Sequence, residues 1–452
     1  MAEITLINPP QTYLVEPNAQ EHLGLMYLES YLKSRGVDVV YKNLANVGMD
    51  EVLSQIPESE YYGITTTILE YPEAEKLSEM LKERDNGKVL LGGGFVKSCF
   101  PYVNKDKFDG LVVGEGEKTL YHIVTDGLHD KVNVSEPILD LDSLPFPDHS
   151  KSEITGNFFI GGHKYSEGKS INLITSRGCP YDCKFCGSKK IWGGKVRYRS
   201  VDNVLKEIEQ NVKNLGVTNI RFNDDNITHD LKRLKALCYG IEDIQYKYNT
   251  ELNWRVSTRV VPSSKEMWKM MKDAGCKEVS FGIESYDPKV LGLLNKRASV
   301  YQNKKAIEDC SSAGIKPRQL MMINTPGEDE DTVLLNMEAL IEQDNPAVSC
   351  KPFVVYPGTD IWDNPQNYHI KLRSKDFEKL NFNYFRWKKD KNGDIVQTNA
   401  IPNHINDGQT LVEMINRRER FLRFIEDIDI DALKWKENVY LLQQLVLLER
   451  SI

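Results

Sequence analysis

The sequence predicts an α/β protein with two parallel sheets followed by a small, mainly helical C-terminal region. Three observations predict this fold. Short apolar segments alternate with helical segments over residues 1–130, a second such alternation runs over 170–358, and the pattern after 359 becomes mainly helical. Apolar strands separated by helices are typical of parallel sheets that are covered on both faces. A chain of 452 residues is also long enough for two or three domains.

The first alternation predicts a doubly wound, flavodoxin-like domain over residues 1–130. Its five predicted strands are short and apolar, and they cover 4–8, 37–41, 62–66, 88–91 and 110–113. Helices are predicted over 23–32 and 73–81. In such a domain a ligand lies at the carboxyl ends of the strands.

Polar and glycine residues follow the third and fourth predicted strands. Thr65 and Thr67 could hydrogen-bond a ligand at this edge, and Gly92, Gly93 and Gly94 would allow its close approach to the backbone. The alternative is that these glycines only form tight turns. The five residues are therefore candidates for ligand binding at the edge of the first sheet.

The second alternation predicts a partial (β/α)₆ barrel of the TIM type over residues 170–358. Its six predicted strands cover 171–174, 219–222, 252–256, 278–282, 317–323 and 349–355. Chemistry in such a barrel takes place at the carboxyl ends of the strands. Residues 131–169 contain two close prolines and are interpreted as a linker. Residues 359–452 form the C-terminal region, in which a last helix is predicted over 439–448.

Three cysteines follow the first predicted barrel strand at the spacing C-x₃-C-x₂-C, namely Cys179, Cys183 and Cys186. A 4Fe–4S cluster commonly has four cysteine ligands, so three would leave one iron open to a small molecule. A structural zinc site would need a fourth ligand nearby. A redox pair of cysteines would need neither Cys179 nor this position after a strand. The spacing therefore favours a cluster with an open iron, and the five other, scattered cysteines are expected to be reduced thiols.

The cysteine loop resembles the signature of radical SAM enzymes. This resemblance implies that S-adenosylmethionine (SAM) binds the open iron through its amino and carboxylate groups. One-electron cleavage of SAM would then give a carbon radical that takes hydrogen from an unactivated C–H bond. The cofactors carry this chemistry, while the protein orients them and excludes water.

The same resemblance implies SAM contacts for six residues. They are Phe185 at the adenine, Asp224 and Asp225 at the ammonium, Glu284 and Ser285 at the ribose, and Lys296 at the carboxylate. One of the polar residues at 224–226 could instead cap a helix. Lys296 could instead belong to a solvated helix end.

Several N-terminal phrases resemble those of radical SAM proteins that carry an N-terminal cobalamin-binding domain. They lie at 7–10, 24–28, 92–93 and 113–117. The resemblance implies cobalamin as a further cofactor and methylation of an unactivated carbon as the reaction. Many cobalamin domains carry D-x-H-x-x-G, whereas this chain has Gln-Glu-His-Leu-Gly at 20–24. His22 is thus either a lower ligand of cobalt or an ordinary loop histidine.

Three rival functions share parts of this pattern. The first is the same cluster chemistry without methyl transfer, such as deoxygenation, rearrangement or oxidation, with or without bound cobalamin. The second is methylthiolation, but those relatives carry three further cysteines in their N-terminal domain. The third is a non-enzymatic cobalamin sensor, which would not need an open cluster.

Composition limits the partners. The net charge of −8 argues against a general nucleic-acid binder, since such proteins neutralise phosphates with Lys and Arg. No stretch predicts a membrane span or a signal peptide, so a cytoplasmic enzyme is expected. The substrate is expected to be a small molecule or a peptide, and the resemblance implies a flavodoxin or ferredoxin as reductant. The sequence assigns no catalytic or substrate-binding residue.

Overall fold

The computed structural model describes residues 2–11, 14–15, 17–152, 154, 159–160, 163–164, 168–343, 346–374, 387–389, 395–397 and 401–428. Two six-stranded parallel sheets form the body of this part of the chain. The first sheet belongs to the N-terminal third, and the second follows in the middle of the chain. The predicted fold class is confirmed.

The first sheet is doubly wound. Its strands are β1 (Ala2–Asn8), β2 (Val39–Asn43), β3 (Ser59–Thr65), β4 (Lys88–Gly92), β5 (Gly110–Val113) and β6 (Val132–Val134). Its helices are α1 (Leu23–Lys33), α2 (Tyr71–Arg84), α3 (Gly94–Ser98) and α4 (Gly116–Asp126). The strand order is β2-β1-β3-β4-β5-β6, which is the flavodoxin-like order with one more strand. That extra strand, β6, lies in the segment that we interpreted as a linker.

The two faces of the first sheet bury separate cores. Ile4 and Leu6 of β1 pack with residues of α1 on one face, while Ile7 packs with residues of α2 on the other. Neighbouring side chains of a strand point to opposite faces, so a continuous apolar strand supplies both cores. This explains why the strands carry apolar residues at successive positions, rather than an alternation of apolar and polar residues.

The second sheet is an open partial barrel. Two short antiparallel pairs precede and follow its first strand along the chain, namely β7 (Phe159–Ile160) with β8 (His163–Lys164), and β10 (Ser176–Arg177) with β11 (Arg197–Tyr198). The sheet itself contains β9 (Lys169–Leu173), β12 (Val217–Phe222), β13 (Asn253–Thr258), β14 (Cys276–Glu284), β15 (Lys316–Ile323) and β16 (Ala347–Pro352). The order β16-β15-β14-β13-β12-β9 is sequential and leaves β9 and β16 as two edges.

Helices alternate with the strands of this barrel along the chain. They are α5 (Ser188–Trp192), α6 (Val201–Leu215), α7 (Leu231–Tyr248), α8 (Lys265–Asp273), α9 (Pro288–Leu293), α10 (Val300–Ser312) and α11 (Glu330–Ile341). Apolar side chains of α6, α7, α8, α10 and α11 share one core with the outer face of the sheet. The inner face of the sheet carries mostly polar residues, such as Asn172 and Arg221, together with Met322 of β15.

The C-terminal region contains both helices and short strands. Its elements are α12 (Asp360–Asp363), β17 (Ile370–Leu372), β18 (Trp387–Lys389), β19 (Ile395–Gln397), β20 (His404–Asn406) and α13 (Leu411–Ile428). Phe421, Phe424 and Ile425 of α13 join the barrel core. The helix predicted over 439–448 lies outside the described residues. Among the residues described, no helix has the length and apolar character needed to cross a membrane.

Candidate functional site

The three cysteines lie in a loop whose two ends are held together. The loop runs from β10 to β11, which are antiparallel and place Arg177 opposite Arg197. Gly178 begins the loop with a φ of 104°. A Cβ at this position would lie 2.8 Å from the carbonyl oxygen of Lys195. Both the backbone conformation and the close approach therefore require glycine beside the first cysteine.

The three thiols are chemically suited to a cluster. Cys179 and Cys183 are half-buried, and Cys186 is exposed. Burial raises the pKa of Cys179, and the charge of Asp225 adds to the effect, so this thiol keeps its proton until a metal displaces it. Among the described residues, no three His, Cys, Asp or Glu side chains surround one common metal position. Binding of three irons of a 4Fe–4S cluster by these cysteines stays a prediction.

Arg259, to which the sequence assigned no role, follows β13 and contacts the cysteine loop. Its Nη1 lies 3.2 Å from Cys183 Sγ, and its Nη2 donates to the carbonyl oxygen of Lys296. Its guanidinium also lies 3.9 Å from the centre of the Tyr181 ring. A buried cation beside the sulfur can compensate the negative charge of a cluster thiolate. The only sequence signal was its position directly after β13.

Two residues predicted at different parts of SAM lie together. Lys296 Nζ is 2.6 Å from Glu284 Oε1, and both side chains are buried. Glu284 ends β14 with a φ of 65°, which is uncommon for a side chain other than glycine. A Cβ on Gly282 would lie 2.6 Å from both charged atoms. The glycine thus leaves room for this pair at the carboxyl edge of the barrel.

The two predicted aspartates differ in environment. Asp224 is buried and accepts hydrogen bonds from Thr175 N at 2.9 Å, Thr175 Oγ1 at 2.7 Å and Ser176 Oγ at 2.5 Å. Burial raises its pKa, although these hydrogen bonds act in the opposite direction. Asp225 is exposed and accepts a hydrogen bond from Ser188 Oγ at 2.5 Å. Asp224 therefore fixes the backbone at Thr175 and Ser176, directly before the cysteine loop, while Asp225 remains accessible to a ligand.

The other two predicted SAM contacts are packed into the protein. Phe185 lies against an apolar cluster that includes Leu294 and Phe353. Ser285 is buried and donates toward Asn336 Oδ1 at 3.2 Å. Their contacts to SAM stay predictions.

A cavity of about 340 Å³ opens at the carboxyl edge of the first sheet. It continues between the sheet and two helices, where Leu25, Leu28 and Leu120 line it. It is bordered by all the residues that we predicted at this edge, namely Thr65, Thr67, Gly92, Gly93 and Gly94. The cavity thus combines a mainly apolar interior with a rim of polar and glycine residues, which suits an organic cofactor.

Gly93 and His22 show how this rim is built. Gly93 has a φ of 101°, and a Cβ there would lie 2.7 Å from the carbonyl oxygen of Thr66. The chain therefore passes this point without a side chain. His22 also lines the cavity, and its Nδ1 accepts the Leu25 N–H at 3.4 Å, which caps α1. This is a structural role for His22, and cobalt ligation stays a prediction.

The cavity of the first sheet reaches the cysteine loop. Arg177, Ile191 and Trp192 belong to that loop or its ends, and all three line the cavity. The Arg177 guanidinium lies 5.5 Å from the centre of the Trp192 ring. The site for a cluster and the site for a large cofactor are therefore neighbours that share a wall.

Residues 173–340 match the model of the Radical SAM superfamily. We call this matched segment the radical SAM domain. An uncharacterized methyltransferase of Pyrococcus horikoshii is 26% identical over 368 residues, with 75% of this chain and 77% of the relative covered. An anaerobic magnesium-protoporphyrin IX monomethyl ester cyclase of Rubrivivax gelatinosus is 26% identical over 388 residues, with 79% and 68% covered.

A solved structure shares the fold of both sheets. It is the radical SAM methyltransferase TsrM from Kitasatospora setae with cobalamin and a 4Fe–4S cluster bound, and it superposes with a TM-score of 0.65 at 18% identity. The match covers 83% of this chain and 81% of that chain. It therefore extends beyond the radical SAM domain into the N-terminal sheet.

The first sheet and the radical SAM domain meet at a buried group of charges. Glu115 forms ion pairs with both arginines of the loop ends: its Oε2 accepts from Arg177 Nη1 at 2.6 Å, and its Oε1 lies 2.5 Å from Arg197 Nη2. Glu117 accepts from Arg177 Nη2 at 2.7 Å. Two arginines that face each other across a strand pair would repel, and Glu115 removes this repulsion.

The same boundary carries a second set of charges. His149 lies between Glu21, at 2.8 Å from Nδ1, and Glu207, at 3.3 Å from Nε2. Arg199 Nη1 is 2.5 Å from the other oxygen of Glu207. We call these eight buried residues the ionic joint: Glu21, Glu115, Glu117, His149, Arg177, Arg197, Arg199 and Glu207. The sequence did not predict it, although Glu115 and Glu117 belong to one of the N-terminal phrases.

Proposed function

We propose that this protein is a cytoplasmic radical SAM enzyme that binds a 4Fe–4S cluster, SAM and cobalamin and methylates an unactivated carbon of a small-molecule or peptide substrate. The observation that carries the proposal is the shared wall between the cavity and the cysteine loop. A methyl carrier and a radical source must act on the same substrate atom, so their sites must adjoin. Similarity to a methyltransferase that holds both cofactors supports the same reading.

The residues of this chain would hold and orient the cofactors. When bound, the cluster supplies the electron that cleaves SAM, and cobalamin carries the methyl group. Cys179, Cys183 and Cys186 would bind three irons, and Arg259 would stabilise a thiolate. Glu284 and Lys296 would exchange part of their mutual contact for the polar groups of SAM, since both lie at the carboxyl edge.

The cavity would take the cobalamin. Thr65 can hydrogen-bond polar groups at its rim, and Gly93 lets the cofactor approach the backbone. The apolar leucines deeper in the cavity would cover an aromatic or aliphatic part of the cofactor. Trp192 would separate this cofactor from the water outside the cysteine loop.

The main rival is the same radical chemistry without methyl transfer. It is favoured by one relative whose name denotes a cyclase. This rival needs the cysteine loop and predicts no net loss of the SAM methyl group. Cobalt retention and methyl transfer therefore distinguish the two functions.

We also propose the compartment and the electron donor. Five cysteines outside the loop are free thiols, as expected in a reducing compartment such as the cytoplasm. The family resemblance supports a flavodoxin or a ferredoxin as the donor.

The test is anaerobic reconstitution with iron, sulfide and hydroxocobalamin, followed by desalting and measurement of iron and cobalt. We expect about four irons and one cobalt per chain. Cys183→Ala should lose most of the iron, while Cys350→Ala, a half-buried barrel cysteine, should keep it. Gly93→Ala should lose cobalt, while Gly36→Ala, whose φ of 83° imposes a similar backbone strain outside the cavity, should keep it.

The iron and cobalt contents distinguish the proposed function from its rival. Iron without cobalt in the parent protein would support the non-methylating rival. Absence of iron in a well-folded sample would overturn the proposal. With both metals retained, transfer of a labelled methyl group from SAM to protein-bound cobalamin is the next measurement.

A further inference from the structure

Arg259 brings a buried positive charge to the cysteine loop. The residue directly follows β13 at the carboxyl edge of the barrel, and it is only 6% exposed. Its Nη1 lies 3.2 Å from Cys183 Sγ, a distance at which an N–H group can donate to sulfur. One end of the guanidinium is therefore directed at a sulfur atom that we propose as a cluster ligand.

The described carboxylates do not compensate this charge. Lys184, a cation of the cysteine loop itself, lies 2.9 Å from Asp182 and 3.1 Å from Asp360. In contrast, no carboxylate within the described part of the chain is at ion-pair distance from Arg259. Buried charges are ordinarily paired or lie beside a metal site. The thiolate of Cys183 in a bound cluster would provide the opposite charge.

Two further contacts restrain the guanidinium in this position. Its Nη2 donates to the carbonyl oxygen of Lys296, and its central carbon lies 3.9 Å from the centre of the Tyr181 ring. The segment that carries Lys296 is itself joined to the cysteine loop, because Asn295 Nδ2 donates to the carbonyl oxygen of Asp182 at 2.7 Å. The cation therefore cannot turn away from the sulfur without breaking these contacts.

A fixed cation at a ligand sulfur changes how easily a cluster is reduced. Reduction adds one negative charge to the cluster, and hydrogen bonds to the sulfurs, net charge and solvent exposure set the reduction potential. A nearby positive charge stabilises the reduced form more than the oxidised form. Salt screens this effect little where the charge is buried. A cluster beside Arg259 would thus accept an electron at a less negative potential than the same cluster without this residue.

We propose that Arg259 raises the reduction potential of the cluster through its contact with Cys183, and so determines which electron donors can reduce it. In this step one electron passes from the donor to the cluster, and no bond forms or breaks at Arg259. The residue acts through Cys183 and is therefore a positioning residue. The inference rests on the proposed function for the presence of a cluster at the three cysteines.

The test is a redox titration of the full-length reconstituted protein, in which electron paramagnetic resonance measures the reduced cluster. In Arg259→Gln, we expect the ratio of reduced to oxidised cluster at a fixed potential to fall at least tenfold, which corresponds to about 59 mV for one electron. Arg259→Lys keeps the charge but loses the planar pair of donors, so its ratio should fall only about threefold. The ratio describes each loaded cluster and does not depend on how many chains hold one.

Arg233→Gln is the matched control. Arg233 also donates to a backbone carbonyl oxygen, that of Thr175 at 3.1 Å, and lies 5.3 Å from the centre of the Tyr198 ring. Within the described residues it makes no hydrogen bond to a cysteine sulfur. The control thus removes a similar arginine without the contact to sulfur, and its ratio should change less than twofold.

The iron content and the ratio separate the possible results. A parent protein without iron would overturn the proposed function and this inference with it. Loaded clusters with the same ratio in the parent protein and in Arg259→Gln would overturn this inference alone, even if the variant retains less iron, because Arg259 would then only hold the loop. If Arg259→Gln binds no iron, Arg259→Lys decides, and an unchanged ratio in that variant would overturn the inference.

Discussion

Two groups of buried charge in this protein differ in size and position. The ionic joint between the first sheet and the radical SAM domain contains four carboxylates and four cations, each within ion-pair distance of a partner. The carboxyl edge of the barrel holds a single pair, Glu284 with Lys296, whose charged atoms lie 2.6 Å apart. The joint serves the fold, whereas the single pair lies where we propose that SAM binds and can exchange its contact for polar groups of that ligand.

The ionic joint lies between the two proposed cofactor sites. Arg177 and Arg197 are the two ends of the cysteine loop, and Glu115 of the first sheet holds both. The cavity that would take cobalamin is lined by Glu115 and Arg177 as well. The joint therefore fixes the distance between the two proposed cofactor sites.

The largest effect is expected for Glu115→Gln. The variant leaves two facing arginines with one remaining carboxylate, Glu117, which contacts only Arg177. Breaking a buried ion pair by removal of one partner costs about 3–5 kcal/mol. We expect this loss in urea unfolding, together with faster loss of iron from the reconstituted protein on desalting.

A second substitution tests whether repulsion between Arg177 and Arg197 causes the loss of iron. In Glu115→Gln with Arg197→Gln, the facing charge is gone and Arg177 keeps Glu117. Iron retention should recover at least partly, although hydrogen bonds remain missing. If the double variant loses iron as fast as the single one, repulsion at the loop ends is not the cause.

The next largest effect is the pH dependence of stability that His149 causes. The hydrogen bonds to Glu207 and Glu21 raise the pKa of His149 to about 9 despite its burial. Because this pKa is above the unfolded value of 6.5, the stabilisation is complete below about pH 6.5 and is lost as pH rises through about 9. A shift of this size corresponds to about 3 kcal/mol.

His149→Gln provides the matched comparison. Its free energy of unfolding should depend less on pH between 6.5 and 9 than that of the parent protein, and the two curves should converge at the alkaline end. Equal slopes for both proteins would show that His149 is not the titrating group of the joint.

Local patterns explain why the fold and the cysteine loop could be predicted. Apolar segments of the strands and the C-x₃-C-x₂-C spacing lie within a few residues, so each can be recognised without the fold. The joint depends on contacts across the chain, such as Glu115 with Arg177 and Glu21 with His149, which no local pattern contains. The same limit applies to Glu284 and Lys296, which were assigned to different parts of SAM before the structure placed them together.

The smallest effect is expected for Arg197→Gln alone. Glu115 keeps Arg177 as a partner, so no buried carboxylate is left alone, and the facing repulsion disappears. The loss is limited to the second ion pair and to the contact of Arg197 Nη1 with the Ile138 carbonyl oxygen at 2.5 Å. We expect about 1–2 kcal/mol in urea unfolding and unchanged iron retention. A loss as large as that of Glu115→Gln would mean that Arg197, rather than the shared carboxylate, holds the loop ends together, and the balance of charge would no longer explain the joint.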